Sequence, residues 1–336
     1  SGSDLWPSKD IDNSSTGGGV WVADSANSWW TASSGGRRGG TNQGGDYRIY
    51  SPNYLNFLQV SGPTVSTRAS IMQDAAVGLL SSINGVSVGL MRYDTVGSGW
   101  SPAADGYGGM VTNAIDDIED NRAALISEIE GWHFAGNTPL SETLAEAYRY
   151  FSGGEVDSGD ESHVCNEDDP DFGGCSSGQT EARNSVAASR TGGSSSGTTY
   201  DSPADYSCQK NYIVYLTDGQ PTSDNEADDF IEDLPDFATK TGGCSGSGSG
   251  RCLAALSEYM YETDLRDDVD DVQNVRSYYI GFGSDFYDSG EETAAFALLQ
   301  SAATRGGGQA YTATSSASLN SVFAAIAEDI AEQTDT

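Results

Sequence analysis

From Tyr212 to Leu216 the chain runs Tyr-Ile-Val-Tyr-Leu, five apolar or aromatic residues with no polar residue alternating among them. A strand with one wet face alternates, so an unbroken run is the pattern of a strand covered on both faces, as in a parallel sheet. Thr217-Asp218-Gly219-Gln220-Pro221 follows directly at its carboxyl end. Val275–Phe282 reads as another buried strand, Val86–Tyr93 as a strand rich in β-branched residues, and Gln309–Thr312 as a short one. Helices are predicted between them. Over Ser66–Ile83, Ala69, Met72, Ala76, Leu79, Leu80 and Ile83 recur at three and four, and Asn84-Gly85 then stops the helix. Ala114–Glu130 has an acidic outer face, and Leu140–Phe151 opens behind Pro139, whose missing N–H costs nothing in a first turn. Asn225–Leu234, Cys252–Leu265, Ala294–Ala303 and Ser318–Glu332 complete the helices. This alternation predicts an α/β fold: a doubly wound, mainly parallel sheet flanked by helices. Ligands of such sheets sit beyond the carboxyl ends of the strands.

The length of 336 residues allows one large domain or two small ones. Residues 1–64 are rich in Gly, Ser and Trp and read as an irregular segment with one short strand, Val20–Ala23. Residues 65–333 carry the α/β pattern, interrupted over about 152–209 by a Ser/Gly/Asp-rich insertion with almost no apolar pattern. The formal charge of −34 excludes nucleic acid as a partner, because phosphate binding needs a basic surface. It equally argues against adhesion to anionic lipid through charge. Only three of the 16 cations are Lys, and such an acidic, Lys-poor surface points to a saline or extracellular setting. No apolar run of about 20 residues exists to span a membrane.

Five cysteines stand at 165, 175, 208, 244 and 252. Cys244 and Cys252 close a loop built around Ser-Gly repeats, and Cys165 and Cys175 share the polar insertion. Such loops cannot order themselves by burial, and no tight C-x-x-C pair exists for zinc, so disulfides are expected. Cys208 is then the odd residue, or it pairs with Cys165 or Cys175. Disulfides imply export. The start at Ser1-Gly2-Ser3-Asp4 carries no signal peptide, so the chain is expected to be processed or a piece of something longer.

Three polar clusters can meet at the strand ends: Thr217-Asp218-Gly219, Gly136-Asn137-Thr138-Pro139 and Ser1-Gly2-Ser3. Hydroxyls with one or two carboxylates suit a hard divalent cation. Taken singly, each has an ordinary use. Asp218-Gly219 makes a turn, and Thr138 caps the helix behind Pro139. Gly85-Val86-Ser87-Val88-Gly89 matches the hydrolase G-x-S-x-G, but Ser87 falls within a strand after a helix rather than on a strand-to-helix turn. His133 and His163 stand by no nucleophile in sequence, so no enzyme activity is expected. The acidic runs Glu167–Asp171 and Asp267–Asp271 lack the spacing of an EF-hand loop and read as solvated.

Tyr212–Leu216 with Thr217-Asp218-Gly219 resembles the strand and TDG signature of von Willebrand factor A domains. Gly136-Asn137-Thr138-Pro139-Leu140 resembles that family's threonine loop, and Ser1-Gly2-Ser3 the tail of its D-x-S-G-S motif. More narrowly, Asn137–Leu144 with Glu146-Ala147-Tyr148, Cys208–Val214 with Leu216–Gly219, Asn84–Val86 with Gly89–Tyr93, and Gly108–Thr112 are similar to the PilY/PilC proteins, the type IV pilus tip-associated adhesins. The resemblance covers roughly Tyr54 to Phe323. It implies a von Willebrand factor A domain whose Ser1, Ser3, Thr138 and Asp218 hold Mg²⁺, or Ca²⁺ or Mn²⁺, at an adhesion site. It also implies a metal-dependent adhesion or interaction domain, extracellular at the pilus tip or outer membrane. Its partners would be minor pilins and surface or host ligands with acidic groups. The alternative is an A domain that binds minor pilins for assembly or surface sensing without adhering itself. The motif's leading Asp and the family's strand before it are absent. That strand is central in the family, so its loss would leave a gap in the sheet, and the chain is expected to be N-terminally truncated. Val20–Ala23 leading into Asp24-Ser25-Ala26-Asn27-Ser28 is a degenerate rival for that motif. Tyr212–Leu216 is expected at the centre of the sheet, between Val86–Tyr93 and Val275–Phe282.

Overall fold

A computed structural model describes residues 22–23, 29–33, 36–38, 67–94, 108–132, 137–164, 180–283, 285–288 and 291–334. The chain divides into two units, Ser1–Ser66 and Thr67–Thr336. In the first, β1 (Val22–Ala23), β2 (Trp29–Ser33) and β3 (Gly36–Arg38) form an antiparallel sheet, with Val22 opposite Trp30 and Thr31 opposite Arg38. Ser1, Ser3, Asp24 and Ser28 lie outside the described residues.

The second unit opens with α1 (Arg68–Ser82), whose first turn is capped by Thr67 Oγ1 accepting from Ser70 N at 3.1 Å. β4 (Ser87–Asp94) and β5 (Gly108–Asp117) make an antiparallel pair, followed by α2 (Ile118–Gly131) and α3 (Leu140–Ser152). β6 (Asp160–Val164) and β7 (Thr180–Asn184) pair within the insertion. β8 (Asn211–Thr217), the short helices α4 (Asp228–Glu232) and α5 (Phe237–Thr241), α6 (Leu253–Glu262) and β9 (Val275–Phe282) come next. The two-residue strands β10 (Tyr287–Asp288) and β11 (Glu291–Glu292), α7 (Ala294–Arg305), β12 (Gly307–Ala313) and α8 (Ser316–Thr334) complete the unit.

The result is a mixed α/β architecture built on a parallel sheet of order β12-β9-β8, with Asn211 opposite Val275 and Ala310 opposite Tyr279. Helices cover both faces, and β9 shows why. Its side chains alternate, so Val275 and Tyr279 join α3, α6 and α7 through Leu144, Leu256, Met260 and Leu299. Tyr278, Ile280 and Phe282 join α1 and α8 through Met72, Leu319, Phe323 and Ile326. Close backbone approach between β12 and β9 needs Gly308, where a Cβ would land on Ser277 O. Gly308→Ala is therefore expected to lower stability by about 1–3 kcal/mol in urea titration, a cost of overpacking rather than of a lost contact.

Three expectations are corrected. Among the described residues β8 is an edge strand of the parallel sheet, and β9 is the central one. Val86–Tyr93, present as β4, is laddered to β5 rather than to β8, and it meets β8 through side chains such as the Tyr93 and Tyr215 rings, 6.0 Å apart. Val214 is accordingly 38% exposed, which an interior strand would not allow. Second, Ala114–Asp117 is strand. The Ile115–Ile118 spacing fits a helix, but pairing with β4 prevails, and Asp117 accepts from Glu119 N at 2.8 Å, capping α2 at its observed start. Third, the described residues of the insertion, 152–164 and 180–209, are not merely loop. Fully buried Arg190 donates through Nε to Ser185 O and through Nη1 to Ser195 O, Gly197 O and Asp160 Oδ1, all at 3.1 Å, and through Nη2 to Gly159 O. Glu146 of α3 accepts from Tyr200 OH at 2.6 Å and from Asp157 N and Gly159 N at 3.1 Å. Hydrogen bonds order this segment where apolar periodicity is missing.

Candidate functional site

Two of the four expected cation ligands are described, and both lie at the carboxyl end of the parallel sheet. β8 ends at buried Thr217, whose Oγ1 donates to Gly219 O at 3.0 Å and accepts from Gly219 N at 3.4 Å. That local pair folds the chain into a turn and leaves Asp218 exposed. Arg68 at the start of α1 donates to Asp218 O at 3.4 Å. Thr138 is joined to the segment just after this turn by a two-residue bridge: Thr222 N donates to Thr138 O at 3.1 Å, and Thr138 N to Thr222 Oγ1 at 2.9 Å. A Cβ built on Gly219 would stand 3.4 Å from Thr138 Oγ1, so the Thr138 hydroxyl faces the Asp218-Gly219 turn.

Thr138 does not cap α3. The cap position is Pro139, which offers no side-chain hydrogen bond. The orphan amides of the first turn go instead to a carboxylate supplied from the far loop. Asp224 Oδ1 accepts from Ser141 N at 2.7 Å and Glu142 N at 3.1 Å, and Ser141 Oγ donates to Asp224 Oδ2 at 3.1 Å. Glu142 reciprocates: its Oε1 accepts from Asn225 N at 2.8 Å and Glu226 N at 2.7 Å. Both carboxylates are buried, and Glu142 Oε2 has no hydrogen-bond partner. Burial pushes Glu142 up to about 8 and Asp224 up to about 6, against the pull of these amides toward the charged form.

Ser141, Glu142, Thr222 and Asp224 thus tie the two turns together, and none was singled out in the sequence. The available signal was the proline: a helix capped by Pro139 has no side-chain acceptor of its own for its first amides and must borrow one. Nothing local says that the accepting carboxylate lies 83 residues beyond Ser141.

A bond joins Cys244 to Cys252, with Cα atoms 4.5 Å apart. Cys208 is free and exposed, so its pairing with Cys165 or Cys175 is not formed. Cys165 and Cys175 lie outside the described residues, as do His133 and the run Glu167–Asp171. Among the described residues, Glu232, Cys244 and Cys252 bring potential ligand atoms within 4.8 Å of one another. The two sulfurs are spent on each other, which leaves no thiolate for a metal. No helix among the described residues is long and apolar enough to cross a membrane.

No family model matches the chain, and no curated protein matches it. Among solved structures it is similar to an uncharacterized membrane-spanning protein from Vibrio fischeri, at 11% identity over 78% of this chain and 84% of that one. The TM-score of 0.20 is too low to bear on fold or function.

Proposed function

We propose that the paired turns at the carboxyl end of the sheet hold a divalent cation, Mg²⁺ or its congeners Ca²⁺ and Mn²⁺, and that the domain binds acidic ligands through that ion. The carrying observation is the bridge that sets the Thr138 hydroxyl against the turn bearing the exposed Asp218 carboxylate. Hydroxyl and carboxylate oxygens are the donor set of a hard cation, and Thr138 and Asp218 would be its ligands from the described residues. Ser1 and Ser3, which the resemblance implies as further ligands, lie outside the described residues. An ion with an open position supplies local positive charge to a chain of net charge −34, which would otherwise repel an acidic partner.

On this reading the chain is a von Willebrand factor A domain of the PilY/PilC kind, an extracellular adhesion domain engaging minor pilins and surface ligands. The parallel sheet covered on both faces supports it. The test is calorimetric titration of Mg²⁺ and Mn²⁺ into the chain and its Asp218→Ala variant. Weak binding is expected from one exposed carboxylate and one hydroxyl. The variant should lose roughly tenfold or more in affinity, about 1.4 kcal/mol, at unchanged Tm, since an exposed turn carboxylate adds little to the core. Equal affinities would remove Asp218 from the site.

A further inference from the structure

The geometry points to the loop closed by Cys244–Cys252 as a clasp that positions the candidate cation site. Its cation consequence rests on the function proposed above, and its positional consequence does not.

Residues 245–251 have little means of holding their own shape. Gly246, Gly248 and Gly250 all adopt left-handed φ, +85°, +90° and +80°, and most of the loop is exposed. The bond anchors the loop because Cys252 is fully buried in the main core at the start of α6. From that anchor the loop reaches the turn region at three points. Gly250 N donates to Asp224 O at 3.0 Å. Asp224 N donates to Ser249 Oγ at 3.3 Å. A Cβ on Gly250 would stand 2.6 Å from Pro221 Cγ, so the loop backbone lies flat on Pro221. Arg251 then fastens the end of the loop to α4, through Asp228 at 2.6 Å and Glu232 at 2.8 Å.

The clasped segment holds both turns. Pro221 and Thr222 follow the Asp218-Gly219 turn, Thr222 carries the bridge to Thr138, and Asp224 carries the first turn of α3. Asp224 is gripped on its backbone by the loop and grips α3 with its carboxylate. Freeing residues 245–251 therefore frees Asp224 and Thr222, and with them the separation of Thr138 from Asp218. Opening a loop of this size raises its conformational freedom.

The experiment uses the full chain and two variants. Cys244→Ser/Cys252→Ser opens the clasp; Gly250→Ala leaves the bond intact but forces a Cβ into Pro221 at a left-handed φ. Amide hydrogen exchange is read at 222–226 and 141–142, with 275–282 of β9 as the internal control. Mn²⁺ affinity is measured in parallel. Both variants should exchange at least tenfold faster at 222–226, with β9 unchanged, and should bind Mn²⁺ several-fold more weakly. Unaltered exchange at 222–226 in Gly250→Ala overturns the clasp even where the double variant fails to fold. Faster exchange with undiminished Mn²⁺ affinity overturns its service to the site. A parent chain that binds no Mn²⁺ refutes the cation reading, and exchange still decides whether the clasp holds the turns.

Discussion

Methionine in place of Arg190 is expected to destabilise the second unit by about 3–5 kcal/mol in urea unfolding. The apolar stem of the side chain is conserved, so the loss reports the guanidinium. Its three nitrogens reach four backbone carbonyls, those of Gly159, Ser185, Ser195 and Gly197, and the carboxylate of Asp160. Each buried carbonyl left without a donor costs about 1–3 kcal/mol, partly recovered where water enters. The pair with Asp160 adds less, because that carboxylate is 46% exposed. Arg190→Lys should fare little better, since a point ammonium cannot span the fork of carbonyls. The damage should concentrate in residues 185–200, seen as rapid proteolysis there while β8, β9 and β12 stay resistant. A loss below about 1 kcal/mol would mean that solvent already satisfies those carbonyls.

The second large effect is a dependence of stability on pH set by Glu142 and Asp224. Burial holds both pKa values in the fold above their ordinary values, Glu142 at about 8 against 4.5 and Asp224 at about 6 against 3.8. Between those limits the folded chain binds more protons than the unfolded chain. Their contribution is therefore complete below the ordinary carboxylate range and is lost as pH rises through 6 and then 8. The slope is at most about 1.4 kcal/mol per pH unit for each group. Urea midpoints should fall from pH 5 to pH 8. Glu142→Gln keeps an acceptor for the Asn225 and Glu226 amides but cannot ionise. It should flatten the slope above pH 6 and exceed the parent in stability at pH 8. Parallel curves for the two proteins would show that Glu142 is already ionised in the fold.

The sheet strands were legible because burial writes itself into composition: Tyr212–Leu216 and Tyr278–Phe282 carry no polar side chain beyond the tyrosine hydroxyls, and both strands fall where expected. The neighbour of each strand was not legible. Nothing in Val86–Tyr93 distinguishes a ladder to β8 from a ladder to β5, and Gly108-Gly109 gave no apolar signal, although Gly109 is required where Thr143 of α3 crowds the strand. The insertion was opaque for a related reason. Ser185, Arg190, Tyr200 and Glu146 form a buried polar network, and polar residues read as solvated until their partners are placed. At the candidate site Thr138 and Asp218 were legible as a pattern of turns. The carboxylates that hold those turns together were not, because their partners are backbone amides, which every residue offers.

The way α3 is shared has a consequence for cooperativity. β4–β5 and β12-β9-β8 exchange no ladder hydrogen bonds among the described residues, so each can open as its own unit of local unfolding. α3 belongs to both. Leu144 and Phe151 enter the core of the parallel sheet, whereas Thr143 packs on Gly109 and Tyr150 OH receives Ile115 N at 2.9 Å. A ligand drawn to the first turn of α3 therefore sits on the element that couples two otherwise separable foldons. Binding there should raise the opening free energy of β4–β5 and of β8 together, and removing Tyr150 OH should let the two drift apart.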